Sequence, residues 1–318
     1  MLVLLNILLS SILPIFILII LGFLLSKKFE LDITTLTKIN FYLLVPAFSF
    51  VYIFTTEITS DLALVILLSA AMLVVNFGLG IVLSRILKLR KPTAKAFQNS
   101  LMFFNVGNIG VSLILLVFSN PPFVVDGLTP YVDIALSVQV MILLFQNLTI
   151  NTIGIVNSGG EGVTLLQGIR HVFRMPAIYT IICAFLFKLI PFDLTATPLW
   201  PVLVHLRNGL ISVALVTLGV QLAKSNLNLR MVAPYGAVFF RLIIGPVAAF
   251  LLIRLFGFSG IIAQVIFISS STPAAVNTAL LAVECNGDSD FAVQVVTLST
   301  LFSAVTMTLA VYLSFILF

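Results

Sequence analysis

Long apolar runs separated by short polar stretches are the feature that most constrains the fold of this chain. Ten such runs follow one another, most of them close to the roughly 20 residues that a helix needs to cross a bilayer. We number the predicted spans one to ten: 2–25, 39–54, 62–87, 94–118, 130–153, 172–190, 202–223, 229–256, 261–283 and 291–318. The pattern predicts an all-α polytopic membrane protein with ten transmembrane helices.

The composition excludes a soluble globular protein. Of the 318 residues, 61% are hydrophobic and 8% are charged, whereas a soluble domain carries about 25% charged residues. The net charge of +5 does not predict a nucleic-acid partner, because no basic run is interleaved with aromatic residues. Cys183 and Cys285 lack the spacing of a metal site, and we expect neither a metal nor a cofactor.

The lysines and arginines predict the orientation of the chain in the membrane. Two of them, Lys188 and Arg254, lie near the ends of even-numbered spans. Twelve lie in or beside loops that follow odd-numbered spans: Lys27, Lys28, Lys38, Arg85, Lys88, Arg90, Lys91, Lys95, Arg170, Arg174, Lys224 and Arg230. Because basic residues accumulate in cytoplasmic loops, we predict a cell-membrane protein with both termini outside.

The long connection between spans five and six predicts two repeats. We expect a first five-helix repeat at 1–155, a cytoplasmic linker at 156–171 and a second five-helix repeat at 172–318. Because five is odd, a duplicated unit enters the membrane in the opposite sense the second time, which gives inverted repeats. Sliding the chain by 166 residues supports this prediction, since it places 105–110 in span four on 271–276 in span nine.

The centre of span four is polar and rich in glycine. Asn105, Gly107, Asn108 and Gly110 occur within six residues at the depth of the membrane midplane. Glycine weakens a helix, and a buried amide needs hydrogen-bond partners. The pattern predicts that span four is broken at this point.

The centre of span nine has a corresponding interruption, with Ser271, Thr272, Pro273 and Asn277. Proline cannot donate a backbone N–H and disfavours helical geometry in the residue before it. The half-helix after each break presents free N–H groups and a partial positive charge, which suit an anion. We therefore predict a substrate site at the two breaks, which include Ser271, with Asn105, Asn108 and Asn277 as neutral donors to a carboxylate.

Charged residues within the spans refine this prediction. All eleven Asp and Glu residues lie in loops or at helix ends, whereas a cation antiporter needs a carboxylate beside the break. Arg241, near the centre of span eight, has three candidate roles: contacting substrate charge, capping a half-helix C-terminus, or pairing with polar groups such as Asn76. Pro46, within span two, is a candidate for a kink that acts as a hinge or shapes the cavity.

Four segments carry a resemblance to a known family: 38–47, 105–110, Leu218-Gly219 and 273–278. On these residues the chain resembles the auxin efflux carrier family, which includes bacterial malonate-type transporters and plant PIN-FORMED carriers, in the bile-acid/arsenite/riboflavin transporter-like superfamily. The resemblance implies scaffold helices one, two, six and seven, and a mobile core of helices three to five and eight to ten. It also implies an elevator-like movement and an organic anion bound where broken helices four and nine cross. The residues implied to bind that anion are Asn105, Gly107, Asn108 and Gly110 of span four and Thr272, Pro273 and Asn277 of span nine.

The function predicted is secondary active transport of a small organic anion, either an auxin-like monocarboxylate or a malonate-like dicarboxylate, by alternating access. The alternatives are a cation/proton antiporter or a sodium-coupled bile-acid-type symporter on the same crossed-helix fold, a channel, and an intramembrane enzyme. We expect no enzyme, because the sequence shows no catalytic group set. The partners considered are the organic anion, H⁺ or Na⁺ as a coupling ion, the lipid bilayer, and a second copy of the chain in a homodimer.

Overall fold

A computed structural model describes residues 2–56, 59–159, 176–190, 192–225 and 227–318. These residues fold almost entirely into helices, several of which contain one π-helical turn. In chain order the helices are α1 Val3–Lys28, α2 Ile33–Thr55, α3 Ser60–Ile86, α4 Lys91–Met102, α5 Val106–Phe118, α6 Val132–Ser158, α7 Pro176–Leu189, α8 Leu199–Lys224, α9 Ala233–Leu255, α10 Gly260–Ser270, α11 Val276–Glu284 and α12 Ser289–Leu317.

Seven of the described helices are long and apolar enough to cross a membrane, namely α1, α2, α3, α6, α8, α9 and α12. Helices α5 and α10 and the segment Ile178–Leu189 of α7 are apolar but shorter. Many large apolar side chains on these helices are exposed, as expected where lipid is the solvent. The chain is therefore an all-helical, multi-pass membrane protein, whereas ten spans arranged as inverted repeats stay a prediction.

Both predicted helix breaks are present. In predicted span four, α4 ends at Met102 and α5 begins at Val106; in predicted span nine, α10 ends at Ser270 and α11 begins at Val276. Pro273 lies within the second break, where its missing N–H removes a helical hydrogen bond. The sequence prediction of two interrupted helices is confirmed.

The helices pack in two sets. Helices α1, α2, α7 and α8 pack chiefly on one another, and the remaining helices form the second set. In the first set, α1 and α8 approach closely, because a Cβ on Gly22 or on Gly219 would collide with the backbone of the other helix. The first set comprises the helices predicted as a scaffold, although the roles of scaffold and mobile core stay predictions.

The predicted linker at 156–171 falls largely outside the described residues. Its first residues, 156–158, form the last turn of α6. The Asn99 side-chain amide donates to Ser158 Oγ (2.5 Å), and the Asn157 amide donates to Asn99 Oδ1 (2.9 Å). This end of α6 is therefore tied to α4 by side-chain hydrogen bonds.

Candidate functional site

The two helix breaks lie against each other and satisfy each other's backbone. Asn105 N–H donates to the Pro273 carbonyl (2.8 Å), and Ala275 N–H donates to the Phe103 carbonyl (3.0 Å). Phe104 and Ala274 form an antiparallel bridge between these two bonds. Non-helical backbone at membrane depth needs such partners, because lipid offers none. The short pairing therefore joins the two breaks into one crossing.

The two breaks differ in length: three residues separate α4 from α5, and five residues separate α10 from α11. The slide of 166 residues aligns 105–110 with 271–276 as corresponding positions of two repeats, whereas the bridge between Phe104 and Ala274 is a contact between the breaks. The inverted repeat therefore stays a prediction.

A small cavity of about 80 Å³ lies beside the crossing, and we call it the inner cavity. The first residues of both α5 and α11 line it. Two helix N-termini, each with a partial positive charge, therefore face the inner cavity. Its polar lining is formed by five asparagines, two glutamines and two threonines: Asn40, Asn105, Asn108, Asn147, Asn277, Gln146, Gln221, Thr37 and Thr217. Of the described residues that line it, none is charged.

The two N-termini are capped differently. The Asn105 side chain accepts a hydrogen bond from Asn108 N–H (3.2 Å), which caps α5. Helix α11 has Ala275 at its N-cap and therefore no side-chain cap. The first N–H groups of a helix have no intrahelical partner, so the start of α11 offers donors to a ligand in the inner cavity.

Three buried polar atoms around the inner cavity lack a hydrogen-bond partner among the described residues: Asn105 Nδ2, Asn40 Oδ1 and Gln221 Oε1. The Asn105 side chain is 5% exposed and uses its oxygen for the α5 cap, which leaves its amide donor unused. An unpaired buried donor costs about 1–3 kcal/mol. A bound acceptor group would remove that cost.

A larger cavity of about 370 Å³, which we call the outer cavity, adjoins the inner one. The two cavities share lining residues, among them Phe41, Asn147 and Asn277. Most of the outer lining is apolar, and exposed Lys38 and Glu284 lie in it. The two cavities are therefore neighbours that share part of their walls.

Four of the predicted site residues line the inner cavity, and the other four lie outside its lining. Asn105, Gly107, Asn108 and Asn277 line the inner cavity. The lining does not include Gly110, Ser271, Thr272 or Pro273. The hydroxyls of Ser271 and Thr272 are buried and donate to Ile268 O (2.6 Å) and Ser269 O (2.7 Å) in their own chain segment. These two hydroxyls therefore stabilise the backbone of their own segment near the crossing.

Gly110 packs against Gln139, and Pro46 lies within α2. A Cβ on Gly110 would lie 2.6 Å from Gln139 Nε2, so glycine is needed for this close approach. Pro46 is buried in α2 and follows a π-helical turn, Asn40–Leu44. That turn carries Asn40 into the lining of the inner cavity. Pro46 thus lies beside the cavity wall, and its hinge role stays a prediction.

Arg241 lies at the opposite, negative ends of the half-helices. Its guanidinium donates to the carbonyl of Leu101 (2.9 Å) near the end of α4 and to the carbonyl of Ser270 at the end of α10. The side chain is 1% exposed and its Cζ lies 4.9 Å from the centre of the Phe104 ring. Of the three roles considered, the structure supports capping of half-helix C-termini.

Gln139 of α6 is a residue of the site that the sequence analysis did not identify. Its Nε2 donates to the Val106 carbonyl (2.8 Å) at the start of α5, and its Oε1 accepts from the hydroxyl of Ser269 in α10. It is fully buried and holds the two broken helices together. Its presence as a polar amide inside an apolar predicted span is a signal that could have identified it.

Comparison with known proteins adds one match. Residues 161–311 match a family model described as membrane transport protein. No curated protein matches the chain. The matched range includes α7 to α11 and most of α12, and therefore Arg241 and the second break. Together with the apolar helices, the match indicates a multi-pass membrane transporter rather than an enzyme.

Proposed function

We propose that the protein is a secondary transporter of a small organic anion, which it binds in the inner cavity. The observation that carries this proposal is the convergence of two helix N-termini on a cavity lined by neutral amides. The positive helix ends attract a carboxylate, and the amides donate hydrogen bonds to it. The absence of acidic groups from the described lining removes the main source of repulsion.

Neutral donors suit transport better than a fixed cation in direct contact. Removing a carboxylate from water costs several kcal/mol, which the N–H groups of α11 and the unused Asn105 amide partly offset. Each helix end contributes up to about 2 kcal/mol in a partly buried site. Binding of this kind is strong enough to capture the anion and weak enough to release it.

The shape of the two cavities favours a monocarboxylate with an apolar body over a dicarboxylate. The polar inner cavity is small, about 80 Å³, and the outer cavity of about 370 Å³ is mainly apolar. A carboxylate at the crossing would direct the rest of the molecule past Phe41 and Leu280. A second carboxylate would then lie against a mainly apolar lining, where burial of a charge is costly unless it pairs with exposed Lys38. This agrees with the auxin-like substrate among the two predicted from the family resemblance.

The release route follows from the same geometry. The outer cavity reaches the end of the bundle where Lys38 lies, and basic loop residues of this kind predict the cytoplasmic side. We therefore propose that the structure is open to the cytoplasm, with both termini outside the cell membrane. Movement of the second helix set against α1, α2, α7 and α8 would then expose the crossing to the other side.

Ligand binding to the purified protein tests this proposal. The probes are phenylacetate, its neutral amide phenylacetamide, and malonate, and the measurement is the ligand-dependent shift of Tm. We expect saturable stabilisation by phenylacetate, weaker stabilisation by malonate and none by phenylacetamide. Asn105→Ala and Asn277→Ala should each weaken phenylacetate binding by roughly tenfold, since each removes a donor to a charged group.

A matched control and a transport assay complete the test. Asn208 is an exposed amide on α8 outside both cavities, so Asn208→Ala should bind phenylacetate normally. Proteoliposomes should take up radiolabelled phenylacetate with saturation, which separates a transporter from a channel. The site assignment would be wrong if Asn105→Ala and Asn277→Ala both bound phenylacetate as the unaltered protein does.

A further inference from the structure

The C-terminal ends of two half-helices meet at the crossing, on the side away from the inner cavity. Helix α4 ends at Met102 and α10 ends at Ser270, and the last carbonyl groups of a helix carry partial negative charge. In transporters with broken helices, unwound carbonyls and half-helix C-termini coordinate coupling cations such as Na⁺. The ends of α4 and α10 form such a position in this fold. The group that occupies this position determines whether the protein needs an added cation.

The occupant is the Arg241 guanidinium, which reaches both helix ends. It donates to Leu101 O from one nitrogen and to Ser270 O from the other. Gly245, one turn further along α9, provides the space, because a Cβ there would lie 3.1 Å from an Arg241 nitrogen. The side chain thus fits a position that is shaped for it.

The charge of Arg241 is not cancelled by an acid within the part of the chain that the structure describes. Its two recorded hydrogen bonds go to carbonyl groups, and its Nε has no partner. Isolated buried charges are costly unless they are compensated. Carbonyl dipoles and the face of the Phe104 ring provide the compensation here.

We propose that Arg241 is the resident cation of the crossing: its tethered guanidinium fills the place of a coupling cation, so that anion binding needs no added Na⁺. This inference rests on the proposed function, in which an anion binds on the other side of the same crossing. Phe104 lies between the two, since its ring contacts Arg241 and the residue is part of the lining of the inner cavity. Arg241 is therefore a positioning residue that acts on the anion through the crossing.

The charge balance also fits the substrate class. One arginine and one monocarboxylate make the loaded crossing neutral, whereas a dicarboxylate would leave it with a negative charge. An uncompensated charge is expensive to move through a membrane. The resident cation thus favours the substrate with a single carboxylate.

The first experiment compares cations on the unaltered protein. Phenylacetate affinity in NaCl and in choline chloride should agree within about twofold. The Tm without ligand should agree within about 1 °C between the same two salts. Saturable stabilisation by Na⁺, or phenylacetate binding that requires Na⁺, would overturn the proposal. The measurement of Tm without ligand is informative even if phenylacetate does not bind, so failure of the proposed function is distinguishable from failure of this inference.

The second experiment removes the guanidinium. Arg241→Gln should weaken phenylacetate binding at least tenfold in choline chloride, and Na⁺ should raise its Tm and restore part of the affinity. Arg241→Lys should retain binding better than Arg241→Gln, because it keeps a cation near the carbonyls. Arg254→Gln is the matched control, since Arg254 also donates to a helix-end carbonyl, Leu317 O (2.5 Å), but is exposed.

The variants have clear contrary outcomes. Folded Arg241→Gln that binds phenylacetate with unaltered affinity and shows no response to Na⁺ would overturn the proposal. Where Arg241→Gln does not fold, Arg241→Lys and the cation comparison on the unaltered protein decide. Loss of phenylacetate binding in Arg241→Lys equal to that in a Phe104→Ala variant would assign Arg241 a packing role and contradict its role as a cation.

Discussion

The two helix breaks at the crossing end and restart their helices in different ways. The first break is three residues long, and an asparagine side chain caps the helix that follows it. The second break is five residues long, contains Pro273, and is followed by a helix without a side-chain cap. The helix after the first break thus has a side-chain cap, whereas the helix after the second has none, and of its first N–H groups Thr278 N–H donates to Ala275 O (3.0 Å).

Because of this difference, α5 and α11 contribute differently to ligand binding. At α5, Asn105 Oδ1 already occupies Asn108 N–H, so its contribution is the unused amide Nδ2. At α11, the ligand has the helix end itself and the Asn277 side chain. The comparison predicts that α11 supplies most of the charge attraction and that α5 supplies a directional donor.

The largest expected effect comes from placing a carboxylate at the free N-terminus. Asn277→Asp should weaken phenylacetate binding at pH 8 at least a hundredfold, because two charges about 4 Å apart repel by about 4 kcal/mol at an effective dielectric constant near 20. The same change should leave Tm unchanged or raise it, since an acid in the first helical turn stabilises by about 0.3–1 kcal/mol. Tm shifts with and without phenylacetate measure both quantities.

The control for this prediction is Asn208→Asp, which changes charge by the same amount outside the cavities. It should bind phenylacetate as the unaltered protein does. Retained affinity in Asn277→Asp would contradict the assignment of the α11 N-terminus as the anion site.

A medium effect should distinguish two glycines in the first turns of α5, just after the first break. A Cβ on Gly110 would collide with the Gln139 amide, whereas a Cβ on Gly107 would make only ordinary contact with Leu143, at 3.5 Å. Gly110→Ala should therefore lower the free energy of unfolding by about 1–3 kcal/mol, as overpacked sites do. Gly107→Ala should change it by less than about 1 kcal/mol, with stabilisation expected from the lower backbone entropy of alanine.

Unfolding of both glycine variants in mixed detergent, followed by circular dichroism, measures this pair. Equal destabilisation by the two substitutions would show that the Gln139 contact does not limit the packing. Greater destabilisation by Gly107→Ala would invert the comparison and require a different geometry at the start of α5.

The smallest effect should come from supplying the second break with the cap that it lacks. Ala275→Ser places a hydroxyl at the N-cap of α11 and should stabilise the protein by about 1 kcal/mol. The hydroxyl competes with the ligand for the same N–H groups, so phenylacetate affinity should fall about threefold. An unchanged affinity together with the gain in stability would mean that the ligand does not use the α11 helix end.

Much of the fold could be predicted from the sequence, because membrane helices and their breaks leave local signals. Apolar runs indicated the spans, and Gly107 and Pro273 indicated where the helices are interrupted. The lining of the inner cavity was harder to predict, because it depends on which face of each helix turns inward. Asn40, Gln146, Asn147 and Gln221 come from helices outside the two broken ones, and only packing brings them to the site.

The roles of Ser271, Thr272 and Arg241 also depended on tertiary structure. A polar side chain near a break can face a ligand or satisfy its own backbone, and the sequence does not distinguish these two uses. Both hydroxyls turned out to bond their own backbone. The three roles considered for Arg241 stayed open until the ends of α4 and α10 were found within its reach.

The pairing between the breaks uses main-chain atoms alone: the N–H groups of Asn105 and Ala275 and the carbonyl groups of Pro273 and Phe103. Side chains at these four positions can therefore change without removing either hydrogen bond, provided that neither donor becomes proline. A protein built in this way can acquire a new ligand preference by exchanging amides around an unaltered frame. Selectivity and architecture are separable at this crossing, which makes it a suitable starting point for redesigning what the protein binds.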